Sequence, residues 1–406
     1  MPSHASDPPT SLDTYSRLLA HREFAGLYAS FTLTTAASAL SGLSLGTLVH
    51  RQTGSPFLTA ISMYGATLAT VVGALTLMSV ADARRPRRTL LVLQLVSLAG
   101  VAGQAVPGIP LATRFLLLVV LGFLQSLGTG TRMGLLSEVV PSSSYALARS
   151  LMNITAGGMS ILALAVGALL LATMSPQGLF VVATVLGALA VVIVAGTIRE
   201  RSIRLSTRPG LRQTWVTNRA LFARPGRRAL LVNLWVPNGL VVGCEALFIS
   251  WDPAHAGVTL AAGSAGMLLG DLAVGRLMTA ARRQRSAFAL RLLLAAPFLV
   301  FAASPGLVLA AVAVFVASAG FAATLPLQEK LMDLTAPPVR GQVQGVESAG
   351  RMTWQGLGAA IAGAVAQVVH PGTAMVVMAL ASLAVTIGTK PWVDRAHRRA
   401  RAVEWA

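Results

Sequence analysis

Ala81-Asp82-Ala83-Arg84-Arg85-Pro86-Arg87-Arg88 decides how this chain folds. An apolar run over 56–80 leads into it and another over 89–106 leaves it. Four arginines in eight residues cannot enter hydrocarbon, so the two runs must leave a bilayer on the same side here. Arg282, Arg283 and Arg285 crowd a second gap of the same kind, whereas the gaps between such clusters hold only Arg51 and Arg114. Cationic loops resist transfer and stay cytoplasmic, so the alternation predicts a chain that crosses the cell's inner membrane many times with both termini cytoplasmic.

Composition agrees. Of 406 residues, 54% are hydrophobic and 11% charged, and the mean hydropathy is +0.69. Soluble domains carry about a quarter charged residues. The formal charge of +18 comes from arginines spread over separated loops, which suits anionic lipid headgroups and excludes a single basic domain for nucleic acid. The one cysteine, Cys244, rules out an internal disulfide. Met1 to Ser16 is polar and lacks the apolar core of a cleaved signal peptide.

The apolar runs predict an all-α integral membrane protein with twelve transmembrane helices, near 24–49, 56–80, 89–106, 114–138, 146–173, 178–198, 229–251, 257–280, 287–303, 307–328, 343–368 and 373–390. Ser55-Pro56, Pro107-Gly108, Ser175-Pro176, Ser304-Pro305-Gly306 and Pro371-Gly372 mark short outer turns. Residues 1–23 form a cytoplasmic segment, 24–198 a first bundle of six helices, 199–228 a basic linker, 229–390 a second bundle and 391–406 a basic tail. The linker holds nine arginines and one acid, Glu200. Ala81 to Arg88 is echoed at Ala280 to Arg285, and Leu136-Ser137-Glu138 at Met332-Asp333, offsets of about 195–198 residues. Parallel repeats of six spans, two pseudo-symmetric bundles, are a transporter architecture.

With these residues in place, the chain resembles the major facilitator superfamily. The turn after the second span carries the expected aspartate and basic run, with Met78 and Arg85 where glycines are usual. His21-Arg22-Glu23-Phe24, Thr53-Gly54-Ser55-Pro56 and Arg132 through Pro141 resemble the exporter branch that includes macrolide and siderophore efflux proteins, and Gly266 through Asp271 with Gly275-Arg276 resembles members of the superfamily. Two features depart from drug–proton antiporters of the superfamily. Leu124 stands where an arginine is expected in the fourth span, and Ala165-Val166-Gly167-Ala168 lacks the proline of the fifth.

The resemblance implies a gate at Asp82 with Arg84, Arg85, Arg87 and Arg88, made in one state and released in the other. The alternative is a charge cluster that only sets orientation. Ionisable residues inside spans cost roughly 2.5–3.5 kcal/mol each at a helix centre, which singles out four. Glu245 shares a seven-residue spacing with Asn238 and Asp252, either lining a wet cavity as a proton site or reaching outer water while Asn238 bonds a neighbour. Asp271, beside Gly266 and Gly270, reads as a coupling carboxylate or as a structural partner of an arginine. Arg351 has Glu347 four residues before it, so a local pair is expected. Arg132 sits six residues from Glu138, too far round a helix for a good pair, and either arginine could hold an anionic group. The hydroxyls of the first span, Ser30 to Ser44, read as a cavity wall or as backbone-bonded. Gly128, Gly130, Gly134, Gly157, Gly158, Gly356 and Gly358 read as close-packing or bending points, not ligand sites.

Six scattered histidines show no metal spacing and no nucleotide-phosphate loop occurs, so no metal, cofactor or enzyme activity is expected. The expected function is proton-coupled export of a small amphiphilic metabolite or antibiotic-like compound by alternating access, from a monomer in contact with membrane lipids. Uptake of a small nutrient, or a receptor that does not transport, are the rival readings.

Overall fold

The computed structural model describes residues 14–81, 86–200, 222, 225–335 and 340–404. Asp82, Arg84, Arg85 and most of the basic stretch 199–228 lie outside the described residues, as do Pro337 and Pro338.

The described residues contain helices and no strand. The first half comprises α1 (Tyr15–Ala20), α2 (Arg22–Thr53), α3 (Pro56–Ala81), α4 (Pro86–Ala105), α5 (Leu111–Val139), α6 (Ser142–Leu171) and α7 (Pro176–Thr197). The second comprises α8 (Pro225–Ala246), α9 (Phe248–Trp251), α10 (Ala256–Leu272), α11 (Ala280–Ala295), α12 (Leu307–Ala319), α13 (Thr324–Asp333), α14 (Arg340–Val365) and α15 (Pro371–Glu404). Helix ends follow local chemistry. Gly54 closes α2 in the left-handed region (φ 62°), its N–H donating to the His50 carbonyl at 2.8 Å. Ser175 caps α7 by accepting from the Gly178 N–H at 3.2 Å, with Pro176 at the first helical position.

Two predicted boundaries shift. The last residues of the basic linker, 225–228, belong to α8, where the buried Arg227 donates to the Leu334 carbonyl at 2.8 Å. The predicted tail continues α15 helically as far as Glu404, through Pro391. Within the second half several helices are interrupted. α8 and α9 break at Leu247, α10 runs into a π-turn (Ala273–Leu277), and α11 into a 3₁₀ segment (Ala296–Ala303). Another 3₁₀ segment, Gly320–Ala323, separates α12 from α13. Pro297 and Pro326 supply no N–H to the preceding turn, which accounts for the tightening beside each.

Eleven stretches among the described residues are long and apolar enough to cross a membrane. The predicted eleventh span, here α14, is outside that set because Arg340, Gln342, Gln344, Glu347, Arg351 and Gln355 interrupt its apolar surface. It is nonetheless packed along α8 and α3.

α2 to α7 pack chiefly on one another, and α8 to α15 do likewise. The two groups meet mainly where α3 lies on α14 and α6 on α10. Close crossings rest on glycine. A Cβ at Gly266 or Gly270 would collide with the carbonyl oxygens of Phe315 and Ala319, so the Gly-x-x-x-Gly of α10 holds α12 against it. Gly239 and Gly358 meet in the same way between α8 and α14.

Candidate functional site: a cavity with one buried arginine

A cavity of about 430 Å³ opens among α2, α3, α4, α5, α6 and α7, with Met352 of α14 reaching in from the other half. Thr34, Thr35, Ser38 and Ser41 of α2 form one wall. Thr34, Thr35 and Ser41 spend their hydroxyl protons on their own helix, donating to the carbonyls of Ser30, Phe31 and Ala37 at 2.8–2.9 Å. Their oxygens are left as acceptors. Ser30 and Ser44 are buried outside the lining, Ser30 accepting from Gln94 Nε2 at 2.8 Å. The facing wall carries Leu124, Gln125, Gly128, Thr129 and Arg132 of α5, and Leu93, Leu118, Leu121 and Phe180 supply apolar surface.

Arg132 is 7% exposed. Nη2 donates to Thr34 Oγ1 at 3.3 Å, and the guanidinium carbon stands 5.1 Å from the centre of the Phe31 ring. Nε is buried without a hydrogen-bond partner. Among the described residues no carboxylate pairs with Arg132, and it is the one charged side chain lining the cavity. The glycines divide into two groups. A Cβ at Gly128, Gly130, Gly157 or Gly158 would meet nothing within 4 Å, so these four are not tight packing points, whereas Gly356 abuts Leu68 and Gly358 abuts Gly239.

The sequence pattern of the Major Facilitator Superfamily matches residues 25–250, more than half of the chain. The chain belongs to the major facilitator superfamily. It is a multi-pass membrane transporter and not an enzyme. Solved structures of similar fold include a transporter of the POT family in complex with a thioalcohol-conjugated peptide (TM-score 0.69, 10% identity, 91% of this chain and 96% of that one). The nucleoside transporter NupG is similar too (0.63, 13%, 90% and 99%). So is a bacterial homologue of the human lysosomal transporter Spinster, inward-facing and unoccupied (0.62, 14%, 94% and 96%). No curated protein matches the chain.

The remaining candidate residues of this superfamily member are not gathered at the cavity. Arg87 lies at the end where the charge pattern expects the cytoplasm, donating to the Ala195 carbonyl at 2.8 Å and standing 3.5 Å from Glu200. Arg88 is exposed. Asn238 is buried and accepts from Gln355 Nε2 of α14 at 3.1 Å. Glu245, half-buried near the end of α8, has no hydrogen-bond partner among the described residues and lies close enough to Tyr64 to interact electrostatically. Tyr64 lines the cavity and packs beside Ala60, Ala246 and Ala359, so Glu245 stands near the seam between the halves. Asp252 does not extend this stripe. The break at Leu247 carries it out of α8, and it pairs with His255 at 3.0 Å. Asp271 is exposed and without an ion-pair partner among the described residues.

Arg351 pairs with Glu347 at 3.2 Å one turn away. Glu347 also accepts from Gln328 Nε2 at 3.1 Å. Beside them lies a residue the sequence reading passed over. Arg291 of α11 is 1% exposed, donates through Nε to Asn233 Oδ1 at 3.3 Å, and is near enough to Glu347 to feel its charge. An arginine inside the predicted span 287–303 was the available signal. Arg114, read only as an outer-gap arginine, is 1% exposed and ties α5 to the end of α4, donating to the carbonyls of Gln104 and Val106 at 2.6 and 3.1 Å.

Proposed function

We propose that this chain is a proton-coupled exporter of a small amphiphilic metabolite or antibiotic-like compound. It works by rocking a bundle at 24–198 against one at 229–390, with α14 as the eleventh of twelve spans. The observation that carries alternating access is the cavity, walled by α2 to α7 and reached by Met352 of α14, beside a seam whose contacts between the halves include those at the end away from the basic loops. There Gln367 Nε2 donates to Ser55 Oγ at 2.6 Å, Gly363 lies against Phe57, Gly257 against Ala168 and Gly46 beside Ile249. At the arginine-rich end, two polar contacts lie each within its own half. Arg199 N–H donates to Glu23 at 2.9 Å in the first, and Arg283 pairs with Glu329 at 2.7 Å in the second. With the basic loops cytoplasmic, this is an inward-facing state of an inner-membrane protein with both termini inside, and one chain encloses the whole cavity.

Glu245 is the proposed proton site, since it combines a carboxylate with no hydrogen-bond or ion-pair partner among the described residues with a place at the moving seam. Asp271 is a second candidate for coupling. Asp82, with Arg84, Arg85, Arg87 and Arg88, is the proposed inner gate. Its contacts belong to the outward-open state, because only interactions that differ between states shift the balance. The export direction leans on the resemblance to efflux proteins.

Comparing metabolites inside a deletion strain and its complemented parent tests the direction. Accumulation inside the deletion strain supports export, and depletion would reverse it. In vesicles with an imposed pH gradient, Glu245→Gln should abolish gradient-driven accumulation, and unchanged accumulation would remove Glu245 from coupling. Asp82→Asn should cut transport at normal surface expression.

A further inference from the structure

We infer that the cavity takes an amphiphilic anion, one carboxylate, sulfonate or phosphate held by Arg132 with an apolar body against the leucines and Phe180. This rests on the cavity being the transport site proposed above.

The argument is one of charge balance. A guanidinium carries five N–H donors. Among the described residues one of these is engaged, to the neutral hydroxyl of Thr34. The Phe31 ring supplies a weak attraction on one face. A buried arginine without an acid is costly, and the usual remedy is a neighbouring carboxylate. No acid lines this cavity among the described residues. Thr34, Thr35 and Ser41 do not compete as anion donors, because their protons go to their own helix, whereas Ser38 accepts from Gln125 Nε2 and keeps its own proton for a guest. A cationic guest would meet an arginine and no acid. A neutral guest would displace water from the guanidinium without replacing its counter-charge. A singly charged anion satisfies both the open N–H groups and the field, and Leu93, Leu121, Leu124 and Phe180 cover its apolar part.

Three probes with one fluorophore and different charge test this: dansylglycine (anionic), dansylamide (neutral) and dansylcadaverine (cationic). Binding is measured to the full chain in lipid nanodiscs, with protein-free nanodiscs subtracted. Dansylglycine should bind at least about tenfold more tightly than the other two, the size of one charged hydrogen bond. Arg132→Gln should erase that preference and Arg132→Lys keep part of it. Thr129→Asp places a carboxylate one turn before Arg132 and should lower the dansylglycine-to-dansylamide ratio. It supplies the answer if Arg132→Gln fails to fold. Equal binding of the three probes, no binding by any of them, or a preference that survives both variants would overturn the inference. Sealed vesicles separate it from the transporter reading. Anion binding without passage would sink transport and leave the anion site, whereas passage of the neutral or cationic probe alone would sink the anion site and leave transport.

Discussion

The two halves of this transporter bury arginine in opposite ways. In the first half, α2 to α7 run without interruption around a cavity, and Arg132 meets that cavity with no acid beside it. In the second, the helices are broken by π and 3₁₀ turns, and Arg291 lies in packed protein with Asn233, Glu347 and Arg351 around it. Arg291 has an acid within electrostatic reach, although its Nη1 and Nη2 make no hydrogen bond among the described residues, whereas Arg132 has no acid beside it among them. Burial alone therefore does not mark a binding residue. What matters is whether the protein itself has supplied the counter-charge.

Removing that counter-charge should have the largest effect. Glu347→Gln leaves Arg291 and Arg351 without their acid and should destabilise the protein by about 3–5 kcal/mol. Arg132→Gln, which removes a charge that has no acid, should leave stability equal or higher. Thermal unfolding in detergent reads both, and equal losses at the two sites would break the contrast.

Backbone contact comes next. Gly358→Val pushes a side chain into Gly239 and should cost at least about 1–3 kcal/mol, whereas Gly157→Ala meets open space and should stabilise α6 by about 0.5–1 kcal/mol. Folded yield and midpoint temperature check the pair, and a tolerated valine at 358 would mean the crossing opens easily.

The smallest effect is expected where the halves touch. Gln367→Ala removes the bond to Ser55 and should shift the state balance by about 1 kcal/mol toward the outward-open form. In a Cys244→Ser background, a cysteine at Ser41 should then react several-fold faster with an impermeant maleimide added from outside. An unchanged rate would remove that bond from the outer closure.

Much of this was readable along the chain. The long apolar runs mark the helices, Arg351 finds Glu347 one turn away, and the Gly-x-x-x-Gly of α10 is a close crossing. Each depends on residues within a few positions of one another. The stripe Asn238, Glu245, Asp252 failed because the spacing argument assumes an unbroken helix, and α8 ends at Ala246. Arg291 gave no such signal of its partner, because an arginine in an apolar run looks the same whether lipid, water or an acid faces it.

That the chain is a multi-pass helical membrane protein followed from sequence alone, since the free energy of transferring a segment into lipid is summed over that segment's own side chains. The location of the cavity, the arginine on its wall and the acid near Arg291 were decided only by tertiary packing. Electrostatic compensation depends on distance in space, and Arg291 and Glu347 come from helices that are separate in the chain.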